Sequence, residues 1–356
     1  YYLPRPNLQK LVTQFLENHI HVVLIGPRRF GKTSFIIQLL QEFQKQGYAT
    51  LFIDVFNITS HRDFLQQLLR AIESKKSWVN KLKALTEIRP KLSADVDMLS
   101  GQPSLEIAFE EKTDKDVKDR IQDALESLEK LGKKVVIAMD EFQKISDIAD
   151  AGWLEATLRT HMQRLKNVSF LFTGSKKSIL YDMLHNQARP FYRSCQTIEF
   201  PSFGEEFTDW MMKKFQNVGI ACERKALDYL RGLVKDTPNY VQMVGFHLVS
   251  QGVVEIGKRE MDKTLESIVL QNQHSYQTLM HSLTPIQQRA LRLSAQESKQ
   301  VFSKEFLKKY EITSAPALAS AIKALKSKGI LEEETSEKGR VAFEDPLFAI
   351  WIRITL

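Results

Sequence analysis

Along the N-terminal half of the chain, hydrophobic positions follow two alternating spacings. Five short apolar runs have the length of strands: HVVLIG (21–26), ATLFIDVF (49–56), VVIAMDEF (135–142), VSFLFTGS (168–175) and TIEFPSF (197–203). Between them lie stretches with helical spacing, at 35–47, 60–74, 114–131 and 153–165; the second carries Phe64, Leu65, Leu68, Leu69 and Ile72 on one face. Strand-length runs alternating with amphipathic helices predict a parallel sheet covered by helices on both faces, an α/β domain over about 17–203. LSADVDMLSGQPSLEIAFE (92–110) alternates on both sides of SGQP and predicts a β-hairpin inserted before the helix at 114–131. Ahead of it, residues 75–91 carry Lys75, Lys76, Lys81, Lys83, Arg89 and Lys91 against one acid, Glu87, with Trp78 beside them. That segment is either a basic contact surface or a solvated linker helix.

From Gly204 the pattern becomes purely helical, with helices expected at 204–217, 223–235, 238–250 and 260–281. Thr284-Pro285 is a helix start, giving a helix to about 295. Helices at 303–309 and 314–328 follow, the latter capped by Ser314 and stopped by Gly329, and then two strands, ILEEE (330–334) and RVAFE (340–344), around TSEKG. Three helices and a two-stranded wing describe a winged helix. The expected domains are an α/β domain over 1–203 with the basic segment and hairpin inserted at about 75–110, a helical lid over 204–282 and a winged helix over 283–356.

Composition changes this picture little. The chain's 356 residues exceed one ordinary core, and 43% hydrophobic with 26% charged residues fits a soluble globular protein. No apolar run reaches the roughly 18 residues of a membrane-spanning helix, so no membrane partner is expected. Two cysteines, Cys195 and Cys222, exclude a disulfide framework and fit a reducing, cytoplasmic setting. A net charge of +7 tilts toward acidic partners such as nucleotides or nucleic acid. The eight histidines form no HExxH spacing and no GxSxG elbow occurs, which argues against zinc chemistry and a serine hydrolase. The chain opens on Tyr1 rather than methionine, and these residues leave a removed targeting segment open.

The chemistry is concentrated between the first strand and the first helix. Gly26-Pro27-Arg28-Arg29-Phe30-Gly31-Lys32-Thr33, followed by Ser34, satisfies GxxxxGK[ST] between a predicted strand and a predicted helix, as a phosphate-binding loop requires. The glycines allow the sharp backbone path that turns successive N–H groups and the helix N-terminus toward phosphates. Lys32 is expected to reach the β- and γ-phosphates and Thr33 to offer its hydroxyl to Mg²⁺. The strand VVIAMDE ends in two carboxylates, of which Asp140 is expected to hold the metal and Glu141 to orient and deprotonate the attacking water. The next strand ends in Thr173-Gly174-Ser175, whose hydroxyls either sense the γ-phosphate or serve the turn alone. Arg189 and Arg193, in QARPFYRSC, are each a candidate arginine finger or a surface or ion-pair arginine.

Taken in order, GPRRFGKTS, VVIAMDEFQ, FLFTGS, RPFYRS, TPNYVQ and FEDPLFAIW resemble the archaeal-type ATPases of the STAND clade, relatives of AAA+ ATPases. The resemblance covers most of the chain, least at 75–110. It implies a P-loop NTPase α/β domain, a helical lid and a C-terminal winged helix, with ATP or ADP and Mg²⁺ as cofactors. It places Arg5, in the opening YYLPRPNLQKL, near the adenine, although the acidic residues usual after that arginine are absent. Pro238, in Asp236-Thr237-Pro238-Asn239-Tyr240, is implied to touch the base. Asp236 stands where the family usually has glycine, and PFYRS lacks the glycine that often precedes the arginine, here Arg193.

Three functions follow. One is an ATPase switch in which ATP draws lid and winged helix onto the core and hydrolysis releases them. Another is a module for double-stranded DNA whose docking ATP regulates. The predicted recognition helix SAPALASAIKALKSK offers Lys323, Lys326 and Lys328 but no Arg, Asn or Gln, which suits phosphate contacts rather than base reading. The winged helix equally suits packing on the core or on a protein partner or second copy. The third is a nucleotide-dependent scaffold with negligible hydrolysis, in signalling or defence, acting through a protein partner.

Overall fold

The computed structural model describes residues 2–74, 91–96, 103–108, 113–296, 304–333 and 341–355. By contact the chain divides into two units, Tyr1–Pro27 with Gly31–Pro201, and Arg28–Phe30 with Ser202–Leu356.

In the first unit the apolar runs become a five-stranded parallel sheet of β1 (Val22–Ile25), β2 (Ala49–Asp54), β5 (Val135–Asp140), β6 (Val168–Gly174) and β7 (Gln196–Glu199), in the order β2-β5-β6-β1-β7. β1, β5 and β6 are buried along their whole length, which is why they read as continuous rather than alternating hydrophobic runs. Val22 pairs with Leu171 and Gln196, and Val135 with Val168 and Ala49. Because β6 lies between β5 and β1, the carboxyl ends of the phosphate-loop strand, the Asp-Glu strand and the Thr-Gly-Ser strand are neighbours. That edge is where an open α/β sheet collects its ligand.

Helices α1 (Pro6–Glu17), α2 (Lys32–Lys45), α3 (His61–Glu73), α4 (Asp114–Glu129), α5 (Ala151–Arg164) and α6 (Lys177–His185) belong to this unit. Local capping sets several of their starts: the Ser60 hydroxyl accepts from the Asp63 N–H, and Thr113 forms a reciprocal capping box with Asp116. β3 (Lys91–Val96) and β4 (Pro103–Ala108) pair antiparallel as a separate two-stranded ladder. The basic stretch up to residue 90 lies outside the described residues.

Three elements of this unit go beyond the sequence expectation. α1 covers residues assigned to no helix, and buries Leu8, Val12 and Leu16 at four-residue spacing. α6 buries Leu180, Met183 and Leu184. A 3-10 helix, Phe142–Asp147, follows β5, because Glu141 takes a left-handed φ of 54° and ends the strand two residues earlier than the apolar run suggests. Phe142 anchors this turn against Phe172 and Phe191, with ring centroids 4.1 and 5.2 Å away.

The second unit is mainly helical. α7 (Glu205–Asn217), α8 (Arg224–Leu233), α9 (Pro238–Ser250), α10 (Lys258–Gln271) and α11 (Gln273–His281) come first, with a short parallel bridge between β8 (Ala221–Cys222) and β9 (Glu255–Ile256). The single helix expected at 260–281 is broken at Asn272, whose side-chain amide donates to the Ile268 carbonyl at 2.9 Å and competes with the backbone pattern. α12 (Pro285–Ala295), α13 (Lys304–Lys309), α14 (Ala315–Ser327), β10 (Leu331–Glu333) and β11 (Val341–Phe343) follow, the two strands antiparallel with Leu331 opposite Phe343. A further helix, α15 (Pro346–Thr355), closes the unit and is buried from Pro346 to Ile352. Asp345, just before α15, accepts from the Leu347 N–H at 2.9 Å, the Tyr240 hydroxyl of α9 at 2.7 Å and the Tyr276 hydroxyl of α11 at 3.2 Å. One carboxylate thus ties the helical region to the winged helix. Burial, with Asp345 beside them, pushes both tyrosine hydroxyls well above their ordinary range. No described helix is long and apolar enough to cross a membrane.

Candidate active site

The site is built on the carboxyl ends of β1, β5 and β6. Gly26 is buried at the end of β1, and a Cβ there would lie 2.7 Å from Cβ of Phe200, so the backbone passes where only glycine fits. Gly31 has a φ of 89° and caps α2, turning the chain into the helix so that its first N–H groups face the loop. Lys32 is 5% exposed, and its ammonium donates to the carbonyls of Gly26 and Pro27, both at 2.8 Å. The loop therefore curls around a buried cation. Pro27, Arg28, Arg29, Thr33 and Ser34 lie exposed on its rim, while Phe30 is buried.

Beneath the loop, Thr33 donates its hydroxyl to Oδ2 of Asp140 at 2.5 Å. The fully buried Thr173 hydroxyl and the Glu141 N–H, the latter at 3.0 Å, donate to Oδ1 of the same carboxylate. Both oxygens of Asp140 are thus oriented by the ends of three elements. Glu141 turns the other way, its Oε2 accepting from the Ser175 hydroxyl at 2.8 Å and from the Gln143 side-chain amide at 2.5 Å. The two candidate sensor hydroxyls consequently act on the two acids, Thr173 on Asp140 and Ser175 on Glu141. Sequence reasoning passed over Gln143; its place two residues beyond Glu141, at the start of a turn that buries it, was the available signal.

Thr33 and Asp140 are a hard oxygen pair of the kind that holds Mg²⁺ beside phosphates, and the direct contact between hydroxyl and carboxylate shows that both reach one point.

The two arginines fare differently. Arg189 donates to Glu155 at 2.5 Å and to Ser146 at 2.9 Å, and lies 3.6 Å from Asp182. Glu155 is 1% exposed, and burial pushes its carboxyl above the ordinary carboxylate range while Arg189 pulls it back. The structure places Arg189 in an ion pair joining α5, α6 and the 142–147 turn, the second of the two roles the sequence left open for it. Arg193 is exposed, with φ 52° and its guanidinium carbon 5.1 Å from the Tyr192 ring centroid.

Arg5 is 8% exposed; it donates to the Pro201 carbonyl at 2.6 Å and stacks 4.4 Å from the ring of Phe200, the residue that packs on Gly26. It braces the floor of the loop. In the second unit, Pro238 occupies the first turn of α9 after Thr237. Asp236 has a φ of 54° and is held by the Nε of Arg231 at 2.6 Å. That explains the missing glycine: the position requires a left-handed backbone, and an aspartate tied to an arginine supplies it.

Comparisons with known proteins agree with this geometry. A family model described as an ATPase domain predominantly from Archaea matches residues 7–244, and a winged helix domain model matches residues 274–354. An ATP-binding protein of Methanocaldococcus jannaschii is 28% identical over 239 residues, 63% of this chain and 64% of its own length, so the chain spans slightly less than two thirds of that relative. Among solved structures, the Walker-type ATPase PABY2304 of Pyrococcus abyssi superimposes with a TM-score of 0.69 at 20% identity, over 99% of this chain and 96% of that one. The Aeropyrum pernix ORC1 protein, solved in complex with DNA, gives 0.55 at 11% identity over 99% and 93%. Phosphate loop, paired strand-end acids, sheet order and winged helix all converge: the chain belongs to the archaeal-type family of ATP-binding ATPase domains and carries a C-terminal winged helix.

Proposed function

We propose that the protein is a Mg²⁺-dependent ATP-hydrolysing switch whose nucleotide state moves the lid and winged helix, with double-stranded DNA as the surface on which the winged helix docks. The observation that carries the hydrolytic reading is the division of labour between the two acids. Asp140 is fixed by Thr33 and Thr173, while Glu141 stands apart from that pair, held by Ser175 and Gln143. A carboxylate that is oriented but not spent on the metal pair suits a general base.

In this reading Lys32 and the N-terminal N–H groups of α2 hold the β- and γ-phosphates, and Glu141 takes the proton of the water that attacks the γ-phosphorus as the bond to the β-phosphate breaks. Thr33 and Asp140 would hold Mg²⁺, which would supply charge neutralisation to the phosphates. Pro238 touches the base and Arg193 is left as the arginine for the γ-phosphate. The shared Asp345 carboxylate supports motion of lid and winged helix as one piece.

Docking on DNA draws on α14, where Lys323 is exposed and Lys326 partly so, opposite the buried Leu318, Ile322 and Leu325, and on the exposed Lys328 that caps its end. Lysines without Arg, Asn or Gln suit phosphates rather than base edges.

The test is ATP binding and turnover by the wild type, Lys32→Ala and Glu141→Gln, with and without duplex DNA over a range of salt. Lys32→Ala is expected to lose both binding and turnover. Glu141→Gln is expected to keep binding but slow turnover by on the order of a hundredfold or more. DNA is expected to raise wild-type turnover, less so as salt increases. Tight ATP binding with no turnover under any condition would instead make the protein a nucleotide-dependent scaffold acting through a protein partner.

A further inference from the structure

Gln143 is 1% exposed, yet it sits on a short turn directly after the acid strand, where polar side chains normally face water. A buried amide needs partners for both ends, and Gln143 has one. Its Nε2 donates to Oε2 of Glu141 at 2.5 Å, while its Oε1 has no hydrogen-bond partner among the described residues. Leaving an acceptor unsatisfied costs about 1–3 kcal/mol, which a Met or Leu at the same place would avoid. The turn thus carries a residue that packing alone would not choose.

The surroundings fix the amide in place. Oε1 lies against Gly174, where a Cβ would come within 2.0 Å of it, so the end of β6 leaves room for the amide only because that residue is glycine. Phe142 pins the start of the turn on Phe172 and Phe191, and Arg189 holds Ser146 near its end. Glu141 itself has a left-handed backbone, and its carboxylate receives Ser175 on the same oxygen as Gln143. Oε1 of Glu141 is left outside both of these bonds.

From this arrangement we infer that Gln143, seated on Gly174, is a positioning residue that aims the Glu141 carboxylate by engaging Oε2 and leaving Oε1 to meet the attacking water. This rests on the reading of Glu141 as general base. The benefit lies in orientation: a base held in one rotamer needs no reordering when the substrate arrives, whereas a carboxylate on a strand end otherwise samples several. The unsatisfied Oε1 is the local cost of that placement.

The experiment measures single-turnover and steady-state ATP hydrolysis, ATP affinity and thermal melting for the full chain, using Gln143→Met, Gln143→Glu, Glu141→Gln and the double variant Glu141→Gln/Gln143→Met. Met keeps the volume and lacks the donor; Glu keeps the shape, lacks the donor and repels Glu141. Both single Gln143 variants are expected to lower kcat by roughly 10–100-fold with ATP affinity within about threefold of the wild type. Acting only through Glu141, Gln143→Met adds no further loss in the Glu141→Gln background. Should Gln143→Met fail to fold, Gln143→Glu takes its place, alone and in the Glu141→Gln background.

The inference is overturned if a folded Gln143 variant keeps kcat within about threefold of the wild type, or if Gln143→Met costs as much in the Glu141→Gln background as alone, since that marks a packing role independent of the base. Wild-type turnover by Glu141→Gln is the distinct result that overturns the general-base reading, and this inference with it.

Discussion

At Asp236 the side chain and the backbone make opposite demands. A φ of 54° favours glycine, yet the carboxylate holds the Nε of Arg231, which also donates to the Gly204 and Phe203 carbonyls and to Thr208. Asp is one of the few residues besides Gly that enters the left-handed region without a large penalty, so both demands are met at once. Asp236→Ala is expected to destabilise the helical region by about 1–2 kcal/mol and Asp236→Gly by less, because Ala loses the ion pair and keeps the strained backbone. Denaturant unfolding of the two variants checks the order; an Ala variant as stable as Gly would show that the left-handed backbone is not what selects this residue.

Among elements, the 142–147 turn shows how packing turns a motif into a site. The apolar pattern runs through Phe142, but the backbone leaves the strand at Glu141, and the following turn is clamped from both ends, by the Phe142 cluster and by the Arg189 bond to Ser146. Arg189→Ala strands the 1%-exposed carboxylate of Glu155. The expected cost is roughly 3 kcal/mol or somewhat less, since the arginine side chain is 27% exposed. Turnover per folded molecule is expected to stay within about tenfold of the wild type, whereas an arginine finger would show unchanged stability and a loss on the order of a thousandfold. A melting curve beside a single-turnover rate separates the two.

For the whole molecule, the second unit joins its helical region to the winged helix at one carboxylate. Asp345, just before α15, accepts from Tyr240 of α9, which begins at Pro238, and from Tyr276 of α11, so a single carboxylate ties three helices of the unit. If the winged helix docks on duplex DNA through phosphates, replacing Lys323 and Lys328 with Ala is expected to weaken binding equally for all sequences. The slope of log affinity against log salt is expected to fall by about 2. Fluorescence anisotropy on two unrelated duplexes reads both quantities. An unchanged slope would remove this face from DNA contact, and a sequence-dependent loss would assign these residues to base reading instead.

The sequence by itself determined the parallel sheet, the Gly26 to Thr33 loop with the spacing of a phosphate-binding loop, the acids at the end of β5 and the winged helix, because each rests on local spacing: buried runs of strand length, glycines at fixed offsets, helix caps. It also carried Gln143 and Asp236 in plain view without their meaning. Only the tertiary structure decided that Thr173 serves Asp140, that Ser175 and Gln143 serve Glu141, and that Arg189 is absorbed by Glu155. Hydroxyls, amides and guanidiniums carry no periodic signature; the partners of Thr173, Ser175 and Arg189 lie 33 or 34 positions away along the chain, and burial, which alone fixes whether such a group stays with a protein partner or turns to water, belongs to the folded molecule.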